Sequence, residues 1–242
     1  MSKSVDRVLD IFELFAEQGR PLSLTEMSRL LEISPSSCSD AINALQARGY
    51  IYELAPRRGY FPTPRLQKTA NAIVNKDPVL LRADIRMRAL RDALDESVNL
   101  SKVNGLQATY LLTLESSQPL RMVVQVGDNL RSLYATSAGK ALLATLSDGA
   151  LADYLKSAIL TPYTVKTVSS KAALRAELAA GREKGWFLNQ DESIEGVTTL
   201  SSIFTWNNSV YIVTIAGPSA RLETKMEWAA GLLVDSCRRM EL

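Results

Sequence analysis

The sequence predicts an α+β chain in two parts: a small helical domain closed by a β-hairpin, then a larger domain with helices beside an antiparallel sheet. Three observations carry this. The first fifty residues hold three short apolar stripes of helical period, each fenced by capping residues. Residues 50–61 read as strand, tight turn and strand, and from Val98 onward segments of alternating hydrophobicity are interleaved with helical ones. At 242 residues and 46% hydrophobic, the chain can supply two cores.

The elements follow in order. Val5, Val8, Leu9, Phe12, Phe15 and Ala16 recur at helical spacing, and Gln18-Gly19 followed by Pro21 ends that helix. Ser23-Leu24-Thr25-Glu26 is a capping box opening a short helix buried through Leu24, Met27 and Leu31. Ser34 is a good N-cap and Pro35 suits the first helical position, so a third helix starts a few residues later, at helix-turn-helix spacing. Its buried stripe is Cys38, Ala41, Ile42 and Leu45. The opposite face carries Ser36, Asp40, Asn43 and Ala47, short groups where a solvated helix would carry Lys and Glu.

Gly49 ends the third helix, and the hairpin that follows, with Arg57 and Arg58 at its tip, is a wing. In a winged helix-turn-helix the third helix enters the major groove and the wing touches backbone or minor groove. Short side chains allow close approach, Asn43 can pair with adenine and Asp40 can accept from cytosine N4. The DNA-binding candidates are Ser36, Ser37, Ser39, Asp40, Asn43, Arg57 and Arg58, the two arginines supplying salt-dependent phosphate affinity. Net charge is only +2, but residues 48–68 hold Arg48, Arg57, Arg58, Arg65 and Lys68 against Glu53 alone. A winged helix used for protein contacts, with Asp40 repelling phosphate, is the alternative.

Composition excludes much else. There is no histidine, which removes Ser-His-Asp and Cys-His nucleophiles and HExxH zinc sites. Cys38 and Cys237 show no framework spacing and are expected in cores, with no cofactor and no metal. No apolar run is long enough to span a bilayer and the first residues lack the pattern of a secretory signal, so a cytoplasmic protein is expected.

The stretch SVDRVLDIFELFAEQGRPLSLTEMSRLLEISPSSCSDAINALQARGYI, followed by YELAPRRGYFPTPRLQ, resembles the N-terminal pattern of the IclR-type bacterial transcription regulators. That family's recognition helix usually carries a basic residue just after its start and another a turn later. Pro35 and Asp40 stand there in this sequence, so the resemblance implies DNA binding but not the usual base contacts.

A helical linker follows over residues 65–76, with Leu66, Ala70 and Ile73 on one side, and Asp77-Pro78 opens a helix with a Leu80, Ala83, Met87, Leu90, Leu94 stripe. The expected division is a winged helix over 1–62, a linker over 63–76 and a larger domain over 77–242. Strands are expected to begin at Val98 and Leu100, to run through Ala108, Tyr110, Leu112 and Leu114, and to run through Leu120, Met122, Val124 and Val126. Helices are placed at 137–146, 148–157 and 171–184, strands at 186–188, 197–204 and 209–217, and a closing helix at 219–239.

Asn207-Asn208 tolerates positive φ and suits a two-residue hairpin turn. Register then sets Ile203 against Ile212, Ser201 against Thr214 and Thr199 against Ala216 on one side of the sheet. Small residues opposite small residues predict a ligand cavity, although close helix packing is an ordinary cause of the same pattern. Thr136-Ser137-Ala138-Gly139 at a helix start offers backbone N–H groups to a carboxylate.

ATSAGKALLA and GWFLNQDESIEGVTTLSSIF resemble the two most recognisable effector-domain segments of the same family. The resemblance implies a GAF-like effector-binding domain, with contacts at Ser137, Ala138, Asn189, Thr199, Thr214 and Ala216; with Ser201 from the register, these are the effector-site candidates. Asn189, Thr199 and Ala216 depart from the family's common Asp, Cys and Ser, pointing to a compact organic acid or aromatic derivative. The whole reads as a repressor of a catabolic operon, binding a pseudo-palindromic operator as a dimer or dimer of dimers. One catalytic alternative survives, a Ser-Lys hydrolase using the S-x-x-K of Ser137 and Lys140, but no SDN or KTG partner motif follows.

Overall fold

A computed structural model of the chain describes residues 3–55 and 58–241. It divides into two units, Met1–Asp77 and Pro78–Leu242.

In the first unit, α1 (Lys3–Gln18), α2 (Leu24–Leu30) and α3 (Pro35–Ala47) precede strands β1 (Ile51–Glu53) and β2 (Tyr60–Pro62) and helix α4 (Arg65–Val74). Ser23 and Glu26 cap α2 reciprocally, as the capping box requires. Ser34 Oγ accepts from Ser37 N at the start of α3, and Pro35 occupies its first turn. The core joins Ile11, Leu14 and Phe15 of α1 to Met27, Cys38, Ile42, Leu45 and Ile51. Leu22 pairs with Tyr60 through both backbone hydrogen bonds, giving the wing a third, one-residue strand. Gly59 is required there: its φ is +96°, and a Cβ would stand 3.1 Å from the Leu22 backbone. Helix α4 buries no residue, and Tyr50 holds it by a hydroxyl contact to Thr69 and by its ring beneath the Arg65 guanidinium.

The second unit starts with α5 (Pro78–Leu94). Strands β3 (Ser97–Asn104) and β4 (Gln107–Leu114) follow, then α6 (Ser137–Ala144), α7 (Asp148–Ser157) and α8 (Lys171–Lys184). Next come β5 (Phe187–Gln190), β6 (Val197–Trp206) and β7 (Ser209–Pro218). The end is α9 (Ser219–Leu222), a 3-10 turn over Glu223–Lys225 and α10 (Met226–Glu241), so the closing helix is broken rather than continuous. The sheet is antiparallel with strand order β4-β3-β7-β6-β5. Helices α5 and α10 cover one face, where Met87, Leu90, Leu233, Leu200 and Phe204 meet; α6 and α8 cover the other through Leu142, Leu143, Leu174, Leu178 and Phe187. With both faces covered, β7 is buried from Tyr211 to Gly217, which explains a mostly apolar run interrupted by Thr214. Cys38 and Cys237 are free and buried; burial pushes both thiols up, Cys237 to about 12.

Residues 120–126 are not the strand their alternation predicts. Gly127 to Leu130 does bond to the outer edge of β4, with Gly127 N donating to Tyr110 O and Leu130 N to Ala108 O. The preceding stretch forms no strand, and Thr113 Oγ1 of β4 donates to Val124 O there. Of the four alternating residues Met122 and Val124 are half-buried while Leu120 and Val126 are exposed, and alternation says nothing about what the backbone bonds to.

Candidate functional site

On α3, burial of Cys38, Ile42 and Leu45 leaves Ser36, Asp40, Asn43 and Ala47 exposed along one face, with Ser37 and Ser39 half-buried at its sides. Asn43 Nδ2 reaches Ser39 Oγ at 3.4 Å, a long contact that leaves the amide available. Arg58 is exposed on the wing; Arg57 lies outside the described residues. Leu54 N donates to Gly59 O and Arg58 N to Ala55 O, so the hairpin turn is tied at its base.

The second unit holds a cavity of about 350 Å³ between the sheet and α6. The hairpin register is the one the Asn207-Asn208 turn predicts: both asparagines have positive φ (+48° and +58°), and Thr199 faces Ala216, Ser201 faces Thr214 and Ile203 faces Ile212. Thr136 caps α6, its Oγ1 accepting from Gly139 N at 3.0 Å and its carbonyl from Lys140 N. This cap leaves the Ser137 and Ala138 N–H groups as the uncapped pair of the first turn. Gly139 is forced: a Cβ would lie 2.3 Å from Ser132 O.

Ser137 Oγ lies 2.6 Å from Thr199 Oγ1 and 2.7 Å from Ser201 Oγ, and Ser201 Oγ lies 2.8 Å from Thr214 Oγ1. Asn189 Nδ2 donates to Thr199 Oγ1 and to Ser193 Oγ, while its Oδ1 accepts from Glu192 N. A chain of hydroxyls and one amide thus runs under the N-terminus of α6. Ser137, Ala138, Asn189, Thr199, Thr214 and Ala216 line the cavity; Ser201 sits beneath it as the link between Ser137 and Thr214.

Sequence reasoning passed over Asn99 on β3, Tyr110 on β4, the segment Met122 to Gln125 and Tyr163 as site residues, all of which line the same cavity. Asn99 was readable in principle, as a polar residue in a strand whose neighbours are buried. Tyr163 stacks on Tyr134 with ring centroids 6.0 Å apart, and Tyr134 donates to Thr161 O, so a short loop carries an aromatic rim.

Ser137 and Lys140 face different partners. The Lys140 ammonium bonds Glu192 Oε1 at 2.5 Å, Glu177 Oε2 at 2.7 Å and Leu188 O at 3.1 Å, while the Ser137 hydroxyl is engaged with Thr199 and Ser201. Burial raises the Glu192 carboxyl above its usual range against the pull of the Lys140 ammonium.

With both sites in place, comparison with known proteins decides the family. Residues 71–241 match the bacterial transcriptional regulator IclR C-terminal domain, and residues 4–55 match the IclR helix-turn-helix domain. The chain belongs to the IclR family. It is therefore a transcriptional regulator with a helix-turn-helix DNA-binding domain and a C-terminal effector domain. Among relatives of this IclR-family chain, the HTH-type transcriptional regulator XynR of Escherichia coli K12 is 27% identical, over 87% of this chain and 83% of that protein. The HTH-type transcriptional repressor AllR of the same strain is 26% identical, over 98% of this chain and 88% of that one. The crystal structure of an IclR homolog from Microbacterium hydrocarbonoxydans, complexed with 4-hydroxybenzoate, superposes with a TM-score of 0.77. It is 17% identical and covers 99% of this chain and 98% of that one, which shows the shared fold. Among the described residues no helix is long and apolar enough to cross a membrane, and no cluster of metal-ligating side chains occurs.

Proposed function

We propose that this protein is a repressor that binds a pseudo-palindromic operator as a dimer or dimer of dimers and leaves or reshapes it when a small organic acid enters the second unit. The observation that carries the reading is the uncapped Ser137 and Ala138 N–H pair standing over a cavity floored by Thr199, Thr214 and Ala216. Two backbone donors at the positive end of a helix suit a carboxylate, and the cavity volume suits a compact one. AllR is named a repressor and the M. hydrocarbonoxydans homolog holds a hydroxylated aromatic acid, both in keeping with it.

The DNA reader is the α3 face of Ser36, Ser37, Ser39, Asp40 and Asn43 with Arg57 and Arg58 of the wing. The winged helix spans 1–62, the linker 63–76 and the effector domain 77–242. Oligomerisation agrees with α4, which exposes Ile73 and Val74 and buries no residue. A non-enzymatic role agrees with the occupied Lys140, whose ammonium is satisfied by carboxylates and is not available as a base for Ser137. A cytoplasmic location follows from this role.

Fluorescence anisotropy against DNA from upstream of its own gene and its neighbours, over a salt series and with scrambled duplex as control, tests the reading. Selective binding with a steep salt slope, weakened by an acid ligand, is expected. Binding no tighter than to scrambled DNA across all upstream fragments would favour a protein-contacting winged helix, the use that exposed Asp40 suits.

A further inference from the structure

Buried polar groups in folded proteins are hydrogen-bonded, and the exceptions call for a reason. Among the described residues, two buried side-chain oxygens of the second unit have no partner, Asn99 Oδ1 and Ser101 Oγ. Both belong to β3, two residues apart, and so share one face of the sheet. Asn99 is 2% exposed and lines the cavity. It pairs across the ladder with Thr214, whose hydroxyl begins the chain through Ser201 to Ser137. Asn99 therefore lies two strands from β6, roughly 10 Å across the floor from the strand beneath the α6 N-terminus.

We infer that Asn99 is a specificity-determining residue whose Oδ1 accepts a hydrogen bond from a hydroxyl or N–H group on the effector, at the end away from its carboxylate. This rests on the effector reading proposed above and narrows it: the ligand is a hydroxy- or amino-substituted organic acid rather than a plain one. Water cannot be left on Oδ1 by a plain acid that fills the cavity, so such a ligand buries an unpaired acceptor. The tenfold or greater discrimination typical of sites built to bond a ligand hydroxyl then follows. Within the protein the oxygen has no hydrogen bond to lose, so its polarity is not explained by the fold.

The test is calorimetric titration of the full chain with matched pairs: benzoate against its monohydroxy and monoamino derivatives, and butyrate against its own. Wild type is expected to bind at least one substituted acid about tenfold or more tightly than its plain parent. Asn99→Leu should reverse that ratio while keeping or raising Tm, and Asn99→Ala serves as the second variant should Leu perturb folding. Equal binding of plain and substituted acids by wild type, or a ratio unchanged in both variants, overturns the inference. So does a panel in which no substituted acid binds. A Thr199→Phe control separates the two readings. If the substituted acid still binds with the cavity blocked, the effector site itself has been misplaced; if its binding is lost and only the pair ratio is insensitive to Asn99, the site stands and the role of Asn99 fails.

Discussion

Lys140 Nζ sits 2.5 Å from Glu192 Oε1 and so ties α6 to the turn that follows β5, the same turn whose Ser193 and Ile194 rim the cavity. Both partners are buried, Lys140 almost completely. Removing one leaves the other charge without compensation, at a cost of about 3–5 kcal/mol. Lys140→Met should lower stability by that order, while Lys140→Met with Glu192→Leu recovers much of it. The loss carries a pH sign. Burial already raises the Glu192 carboxyl in the folded state, and without Lys140 nothing of comparable strength opposes it. A folded-state acid with a raised pKa favours the protonated form, so stability is present at low pH and lost as pH rises through the folded pKa. Urea unfolding of Lys140→Met at pH 5 and pH 8 should show the larger deficit at pH 8; an equal deficit would mean that Glu192 is not the stranded charge.

Thr199→Phe should separate the two functions. The ring would occupy the space between Ser137 and Ala216 that a ligand needs, and it removes a hydroxyl bonded by both Ser137 and Asn189. Ligand-induced change in DNA binding is expected to vanish, with the affinity for DNA in the absence of ligand held within about threefold, since the α3 face lies in the other unit. Anisotropy titrations with and without acid measure both quantities.

On the DNA side the residue types predict different failures. Arg58→Ala removes an exposed charge from the wing and should weaken binding to all sequences alike, reducing the salt slope by about one. Asn43→Ala removes an amide from the exposed α3 face and should cost about 1–3 kcal/mol on the preferred sequence while leaving scrambled DNA unaffected. Parallel salt series on the two variants decide between these roles; identical behaviour would remove Asn43 from base reading.

What the sequence disclosed depended on the range of each signal. Asn207-Asn208 fixed a local turn, and because side chains alternate along a strand, one turn was enough to place Thr199, Ser201, Thr214 and Ala216 on one face. The expected ranges 148–157 and 171–184 match α7 and α8, and in the structure Ser147 and Ser170 cap them through nearby backbone N–H groups. Nothing local announces that Lys140 will meet Glu192, 52 residues away, or that Asn99 will face Thr214 without a partner. Residues 120–126 misled because an alternating apolar pattern does not reveal whether the backbone pairs with a strand, and here Met122 and Val124 line a cavity while Leu120 and Val126 are exposed. The turn between α2 and α3 was legible from the Ser34 cap and the helix-turn-helix spacing, but the positive φ of Glu32, +52°, was not, since no glycine marks it.

The acid limb of stability should depend on Asp95. Its carboxylate accepts from Gln118 Nε2, Ser117 N and Ser117 Oγ, and these bonds, the Gln118 one foremost, hold it down to about 2. The unfolded value is about 3.9. A depressed folded pKa gives stability that is present above the unfolded pKa and lost as pH falls towards the folded one, so the window is roughly pH 4 to 2. Asp95→Asn should flatten the fall in Tm across that window, and a slope matching wild type would place the acid sensitivity elsewhere.

Gly217 and Glu96 give the most severe steric prediction. Glu96 is fully buried, and its carboxylate is held by the Arg221 guanidinium at 2.8 and 2.9 Å and by Lys225 Nζ at 3.2 Å. A Cβ on Gly217 would stand 2.2 Å from Glu96 Oε2, and that oxygen cannot swing aside without breaking its bond to Arg221. Gly217→Ala must therefore either distort β7 or strand a buried charge, for a loss of about 2–4 kcal/mol. Because β7 also carries Thr214 and Ala216, the same change should weaken ligand binding even where the protein remains folded. Pairing Gly217→Ala with Glu96→Ala relieves the contact but leaves Arg221 and Lys225 without their carboxylate, so rescue should be partial. Chemical denaturation of the single and double variants measures the coupling, and strict additivity would show that the two side chains do not compete for the same space.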